Sequence, residues 1–186
     1  MRPRVLTIAC VLAGGLAVGE AHVGGKVSPA DFSPQPAWTE IKWPFLYDAW
    51  GPGRAFRCEA AACGSRISVY IRPKVGFCNC STGVADDDEI DRVGDVNLIA
   101  ESYRPLEVGK PVAVGGMRGR ARTFALELPR APPHYAIGVA VSKKCDAMVA
   151  TIVSDRPITA GLEQVALAHL NTEPITRWAD ASVGLQ

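Results

Sequence analysis

The placement of six cysteines constrains this chain of 186 residues more than any other feature. Cys10 lies in an apolar N-terminal run, and Cys58, Cys63, Cys78, Cys80 and Cys145 all follow it. Cysteines downstream of an export-like leader imply an oxidising compartment in which disulfides form and persist. Five such cysteines also leave one thiol without a partner.

The leader has the layout of a secretory signal peptide. Arg2 and Arg4 supply a basic start, and Val5 to Val18 is apolar apart from Thr7 and glycines. Gly19-Glu20-Ala21 then places small residues before a cut after Ala21, with a cut after Gly19 as the alternative. An apolar run of about 14 residues falls short of the roughly 20 that cross a bilayer. Thr7 stands where a lipoprotein signal needs an aliphatic residue before Cys10. The expected organisation is a signal peptide over 1–21, an extended arm rich in Gly, Ser and Pro over 22–37, and one domain over 38–186. The expected location is periplasmic or secreted, with no stable membrane span after cleavage. A formal net charge of +1 carries none of the basic footprint of a nucleic-acid binder.

Fourteen prolines and eighteen glycines imply many turns. Arg66 to Lys74 alternates, with Ile67, Val69 and Ile71 on one side and Ser68, Tyr70 and Arg72 on the other, as in a half-buried strand. Ala55–Cys58 is its expected hairpin partner. Pro111–Gly115 with Ala121–Leu128, and Tyr135–Ser142 with Ala147–Val153, read as two further hairpins, the first turning through Gly115–Gly119 and the second near Lys143-Lys144. Leu162, Val165, Ala166, His169 and Leu170 keep helical spacing, with Thr159 as the N-cap and Asn171 and Pro174 at the end. The acidic run from Asp86 suits the start of a shorter helix, and a last strand is expected over 175–183. The sum is a single α+β domain, mainly an antiparallel β-sheet of hairpins with one clear C-terminal helix packed on one face.

Four residues separate Cys58 from Cys63, so a hairpin would let them face each other and bond. Cys78 and Cys80 point the same way in an extended segment and do not bridge readily. Either of them can reach Cys145 over a long loop. Structural bridges plus one bystander thiol are the first reading. The alternative is a soft-metal site, copper(I) above zinc, on the Cys78/Cys80 pair with His134 or His169 completing it. His22, at the head of the mature chain, is a second copper ligand of this kind. Against these, His169 falls on the apolar stripe of its helix and His134 follows two prolines. No Cys-x-x-Cys is present to suggest thioredoxin-like chemistry.

Three of the four tryptophans, Trp38, Trp43 and Trp50, fall within 13 residues together with Phe45 and Tyr47. Such a cluster reads as a hydrophobic lid or as a binding groove. Asp86, Asp87, Asp88, Glu89, Asp91 and Asp95 form a dense acidic segment. EF-hand spacing fails there because Arg92 replaces the required glycine, so a solvated helix start or a docking surface is expected. Arg118, Arg120 and Arg122 alternate and share a face if extended; they would bind an anion, pair with the acidic segment, or face water. The chain carries no nucleophile elbow, zinc-protease helix or phosphate-cradling glycine loop.

Two segments, Trp43-Pro44-Phe45 through Asp48-Ala49-Trp50-Gly51-Pro52-Gly53-Arg54-Ala55-Phe56-Arg57-Cys58 and Gly76-Phe77-Cys78-Asn79-Cys80-Ser81-Thr82-Gly83-Val84-Ala85-Asp86-Asp87, resemble a family of uncharacterised exported bacterial proteins. The resemblance implies an envelope location and carries no activity. The function expected from the chain is a non-enzymatic binding or accessory module without a cofactor, contacting an envelope protein or a small ligand through Trp38–Trp50 or Asp86–Asp95. The alternative is a periplasmic copper-binding or delivery protein.

Overall fold

The computed structural model describes residues 36–183, so the expected signal segment and nearly all of the arm lie outside the described residues. The frame is an eight-stranded antiparallel sheet. In chain order the strands are β1 Trp38–Ile41, β2 Arg54–Cys58, β3 Ile67–Lys74, β4 Ser102–Pro105, β5 Lys110–Val114, β6 Met117–Glu127, β7 His134–Lys143 and β8 Asp146–Ser154. They lie in the order β1-β2-β3-β8-β7-β6-β4, with β5 also paired to β6. The Val- and Ile-rich strands β7 and β8 sit mid-sheet, where both faces are covered, and nearly every residue of β8 is buried.

The helices are α1 Ala60–Cys63, α2 Asp87–Val93, α3 Ala160–Leu170 and α4 Glu173–Ser182, with a 3-10 turn over Val96–Leu98. Strand alternation sorts the core into two sides. Ile67, Val69, Ile71, Ile137, Val139, Met148, Ala150 and Ile152 pack on one face with Leu162, Leu170, Ile175 and Ala179 of α3 and α4. The opposite face carries Ala140, Ala147 and Val149 under Ile90 and Val93 of α2, and Phe124, Leu126 and Ala136 beside Val96 and Ala100. The α+β domain with its antiparallel sheet and C-terminal helix stands, but helices cover both faces rather than one.

The 175–183 segment is helical, not a strand. Pro174 serves α3 as a stop and α4 as a start: it occupies the first turn of α4, where its missing N–H costs nothing. Ile175, Trp178 and Ala179 then fall on one side at helical spacing. Two strands give weak sequence signals. β1 is four residues at the sheet edge, and β4 is four exposed residues ending in proline. The hairpin between β5 and β6 turns tightly at Gly115-Gly116, with Gly115 at φ +57°, so the expected loop through Gly119 is already strand. Thr159 caps α3 through its side-chain oxygen, which accepts the Leu162 N–H, and Asp86 caps α2 by accepting the Glu89 N–H.

Candidate functional site

The sequence assigns the Ser68, Tyr70 and Arg72 side of β3, which Lys74 continues, to the polar side of the sheet. The structure buries most of it. The chain between β1 and β2 folds back over this face, and Gly53 passes so close that a Cβ would lie 2.1 Å from the Ile71 carbonyl oxygen. Only glycine permits that approach. Beneath the loop, Arg72 is 3% exposed and Asp95 is 7% exposed. The guanidinium donates to both Asp95 oxygens, at 2.6 and 2.8 Å, and to Asp48 at 2.7 Å. Lys74 pairs with Asp95 at 2.7 Å and donates to the Val93 carbonyl at 2.8 Å.

The two cations and two carboxylates balance, as burial of charge demands. Burial opposes ionisation of Asp48, but the Arg72 guanidinium and the Trp50 N–H hold its carboxyl below the ordinary range. Aromatic rings close the cluster. Trp43 packs edge-on with Phe45 and Tyr70, and Trp50 lies against Phe77. The Arg72 guanidinium is 5.9 Å from the Trp43 ring, and the Lys74 ammonium is 5.3 Å from the Phe77 ring. The loop is therefore fastened at Trp43, Asp48 and Gly53. Between these points it projects Leu46, 92% exposed, and Tyr47, 73% exposed.

The tryptophans thus separate by role. Trp43 and Trp50 build the loop's base. Trp38 lies on the other face, stacked on the His169 ring at 4.1 Å between centroids. They do not line one common groove. Leu46 and Tyr47, not the tryptophans, are the exposed large hydrophobic side chains of this loop, and no spacing rule marks a loop tip. The signal that was available is the Gly51-Pro52-Gly53 turn, which brings the chain back sharply onto the sheet.

Cys58 and Cys63 are joined across the β2–β3 hairpin, whose connection contains a helical turn. Cys80 is joined to Cys145, at the turn between β7 and β8. Cys78 remains a thiol, buried among Val84, Ile90, Val93 and Ala147, with its N–H on the Cys145 carbonyl. Burial, then the nearby Glu89 and Asp146 charges, push this thiol up from its ordinary value. It is a poor nucleophile and a poor metal ligand.

The soft-metal arrangement is not assembled. The Cys80 sulfur is committed to Cys145. His134 begins β7, at the end away from that turn, and His169 is buried on the α3 side of the sheet. Among the described residues no group of three or more His, Cys, Asp or Glu is placed to hold a metal ion.

The acidic segment is largely consumed by the fold. Asp86 caps α2, and Asp95 joins the buried cluster. Asp87 accepts the Gly109 N–H and pairs with Arg120 at 2.7 Å and Arg122 at 3.7 Å. The Gly109 N–H, working against the cost of burial and helped by Arg120 and Arg122, holds the Asp87 carboxyl below its ordinary range. Asp91 pairs with Arg122, and Asp88 stays exposed. Arg120 and Arg122 therefore neutralise Asp87 and Asp91, while Asp86 and Asp88 stay exposed.

Among the described residues no helix is long and apolar enough to cross a membrane. No protein-family model matches this chain, and no curated protein matches it either.

Proposed function

We propose that this chain is an exported, disulfide-braced binding module of the cell envelope, and that it engages a protein partner through the loop between β1 and β2. The observation that carries the reading is the adjacent exposed pair Leu46 and Tyr47 on a fastened loop. Single exposed apolar residues are ordinary on any surface. Here the two stand together on a segment whose flanks are held by the ion pair of Asp48 with the buried Arg72 and by packed aromatic rings. A rigid apolar tip loses little conformational freedom on docking, so more of its contact energy appears as affinity. A tyrosine next to a leucine suits a partner with an apolar pocket and a polar rim. The two disulfides fit an oxidising compartment, and the likeness to uncharacterised exported bacterial proteins agrees with that location.

Site-specific photocrosslinking tests the assignment. With a photoreactive phenylalanine at position 47, illumination of intact cells gives a discrete adduct that disappears in Leu46→Asp. The same probe at the exposed position 177 gives none. Absence of an adduct from position 47, or one insensitive to Leu46→Asp, refutes the proposed surface. N-terminal sequencing of the envelope protein tests export separately, with His22 as the expected first residue.

A further inference from the structure

We propose a second binding site, specific for a phosphate group, in the cleft between the 80–85 loop and the ends of β6 and β7. The cleft has a volume of about 420 Å³. Arg118, Arg120, Ser142 and Lys144 line it together with residues 80–85, and among the described residues no carboxylate does. Three cations around one cleft make a field that favours an anion.

The arginine row shows where the charge is unspent. Arg122 is paired with Asp91, and Arg120 is held by Asp87 and by the carbonyls of Ala85 and Gly109. Among the described residues Arg118, the third member, has no side-chain hydrogen bond or ion pair, although it stands on the same face two positions away. Arg120, fully engaged, forms a fixed wall, and Arg118 supplies a free guanidinium fork.

The loop facing them is pre-formed. Cys80 is tied to Cys145, Asn79 Oδ1 accepts the N–H groups of Ser81 and Thr82 at 2.9 and 3.2 Å, and Val84 N–H donates to Ser142 Oγ at 3.1 Å. Gly83 sits at φ +63°, and a Cβ there would fall 2.2 Å from Ser142 Oγ. Lys144 takes φ 55° in the two-residue turn of the β7–β8 hairpin, which fixes its backbone beside the cleft. A guanidinium fork matches two oxygens of a phosphate, and a dianion gains more than a carboxylate from several cations around one cleft.

The register Lys74–Ala147, Ser142–Ala147 and Arg118–Ser142 puts this cleft three strands from the buried cluster. That is about 14 Å at the usual strand spacing, so the site is independent of the Leu46–Tyr47 tip.

The test is a titration of the isotope-labelled mature protein with sodium phosphate, followed by amide chemical shifts, with sodium chloride at matched ionic strength and sodium acetate as comparisons. Saturable shifts at residues 81–85 and 118–120, tighter for phosphate than for acetate, are expected. Arg118→Gln weakens them at least tenfold, and Lys42→Gln leaves them unchanged. Co-sedimentation with phosphatidylglycerol vesicles, but not phosphatidylcholine vesicles, lost in Arg118→Gln, assigns the phosphate to a lipid headgroup. Phosphate binding without vesicle binding assigns it to a soluble phosphate ester. Because Arg118 is exposed, the variant keeps the wild-type melting temperature. Absence of binding in both arms, shifts reproduced by chloride, equal affinity for acetate, or undiminished binding by Arg118→Gln overturns the proposal.

Discussion

His169 makes the stability of this domain depend on pH in a window where few other groups titrate. The ring is 8% exposed, stacked on Trp38 at 4.1 Å and edge-on to Phe56 at 4.7 Å, and its buried Nε2 has no hydrogen-bond partner among the described residues. Burial, with Arg54 nearby, lowers its pKa from 6.5 to about 4. The folded protein therefore keeps His169 neutral while the unfolded chain takes up a proton. Between these two values the unfolded state binds more protons, so stability is complete above about pH 6.5 and falls as pH drops towards 4. At 1.36 kcal/mol per pKa unit, the loss between pH 7.5 and 4.5 is about 2.5 kcal/mol. For a domain of this size that lowers the melting temperature by roughly 5–10 °C. The carboxylates held below their ordinary range, Glu40, Asp48, Asp87 and Glu89, act mainly below about pH 4.5 and stay outside this interval. Urea unfolding at pH 7.5, 6.5, 5.5 and 4.5 measures the slope. His169→Phe keeps a ring between Trp38 and Phe56 and flattens the profile. An equally steep profile in His169→Phe, or a His169 resonance titrating above pH 6, refutes the reasoning.

The buried charge cluster gives a second expected outcome: Asp95→Asn strands Arg72 and Lys74 in the interior and costs about 3–5 kcal/mol, read as a lower urea midpoint with unchanged slope. Replacing Cys80 and Cys145 together by serine opens a loop spanning 65 residues of separation; the chain-entropy model puts the loss at about 4 kcal/mol, measurable by thermal unfolding against wild type. Thiol reagent leaves Cys78 unmodified in the native protein and modifies it after denaturation without reductant, because Cys78 is a buried free thiol; a fast native reaction at Cys78 contradicts that placement. Leu46→Ser with Tyr47→Ser changes stability by less than about 0.5 kcal/mol, since both side chains are exposed.

Much of the frame was legible in the chain because it rests on local periodicity. The alternation of Ile67, Val69 and Ile71, the Val- and Ile-rich hairpin from β7 to β8, and the α3 stripe with its Thr159 cap each show in a short window. Where one residue serves two masters, local reading fails. Pro174 ends one helix and begins another, and the strand expected after it is α4. β1 and β4 lie at sheet edges with four residues each, too few to show a period.

The amino-acid sequence alone determined the number and spacing of the cysteines and the alternating core of the sheet, because sulfur count and side-chain period are properties of neighbouring residues. Only the folded chain decided that Cys80 rather than Cys78 meets Cys145, that Arg72 and Lys74 are covered while Leu46 and Tyr47 are presented, and that Asp87 is spent on Arg120 and Arg122 while Arg118 is left over. Those outcomes depend on which distant segments cross the same sheet face, and contacts between residues tens of positions apart leave no mark in any local window.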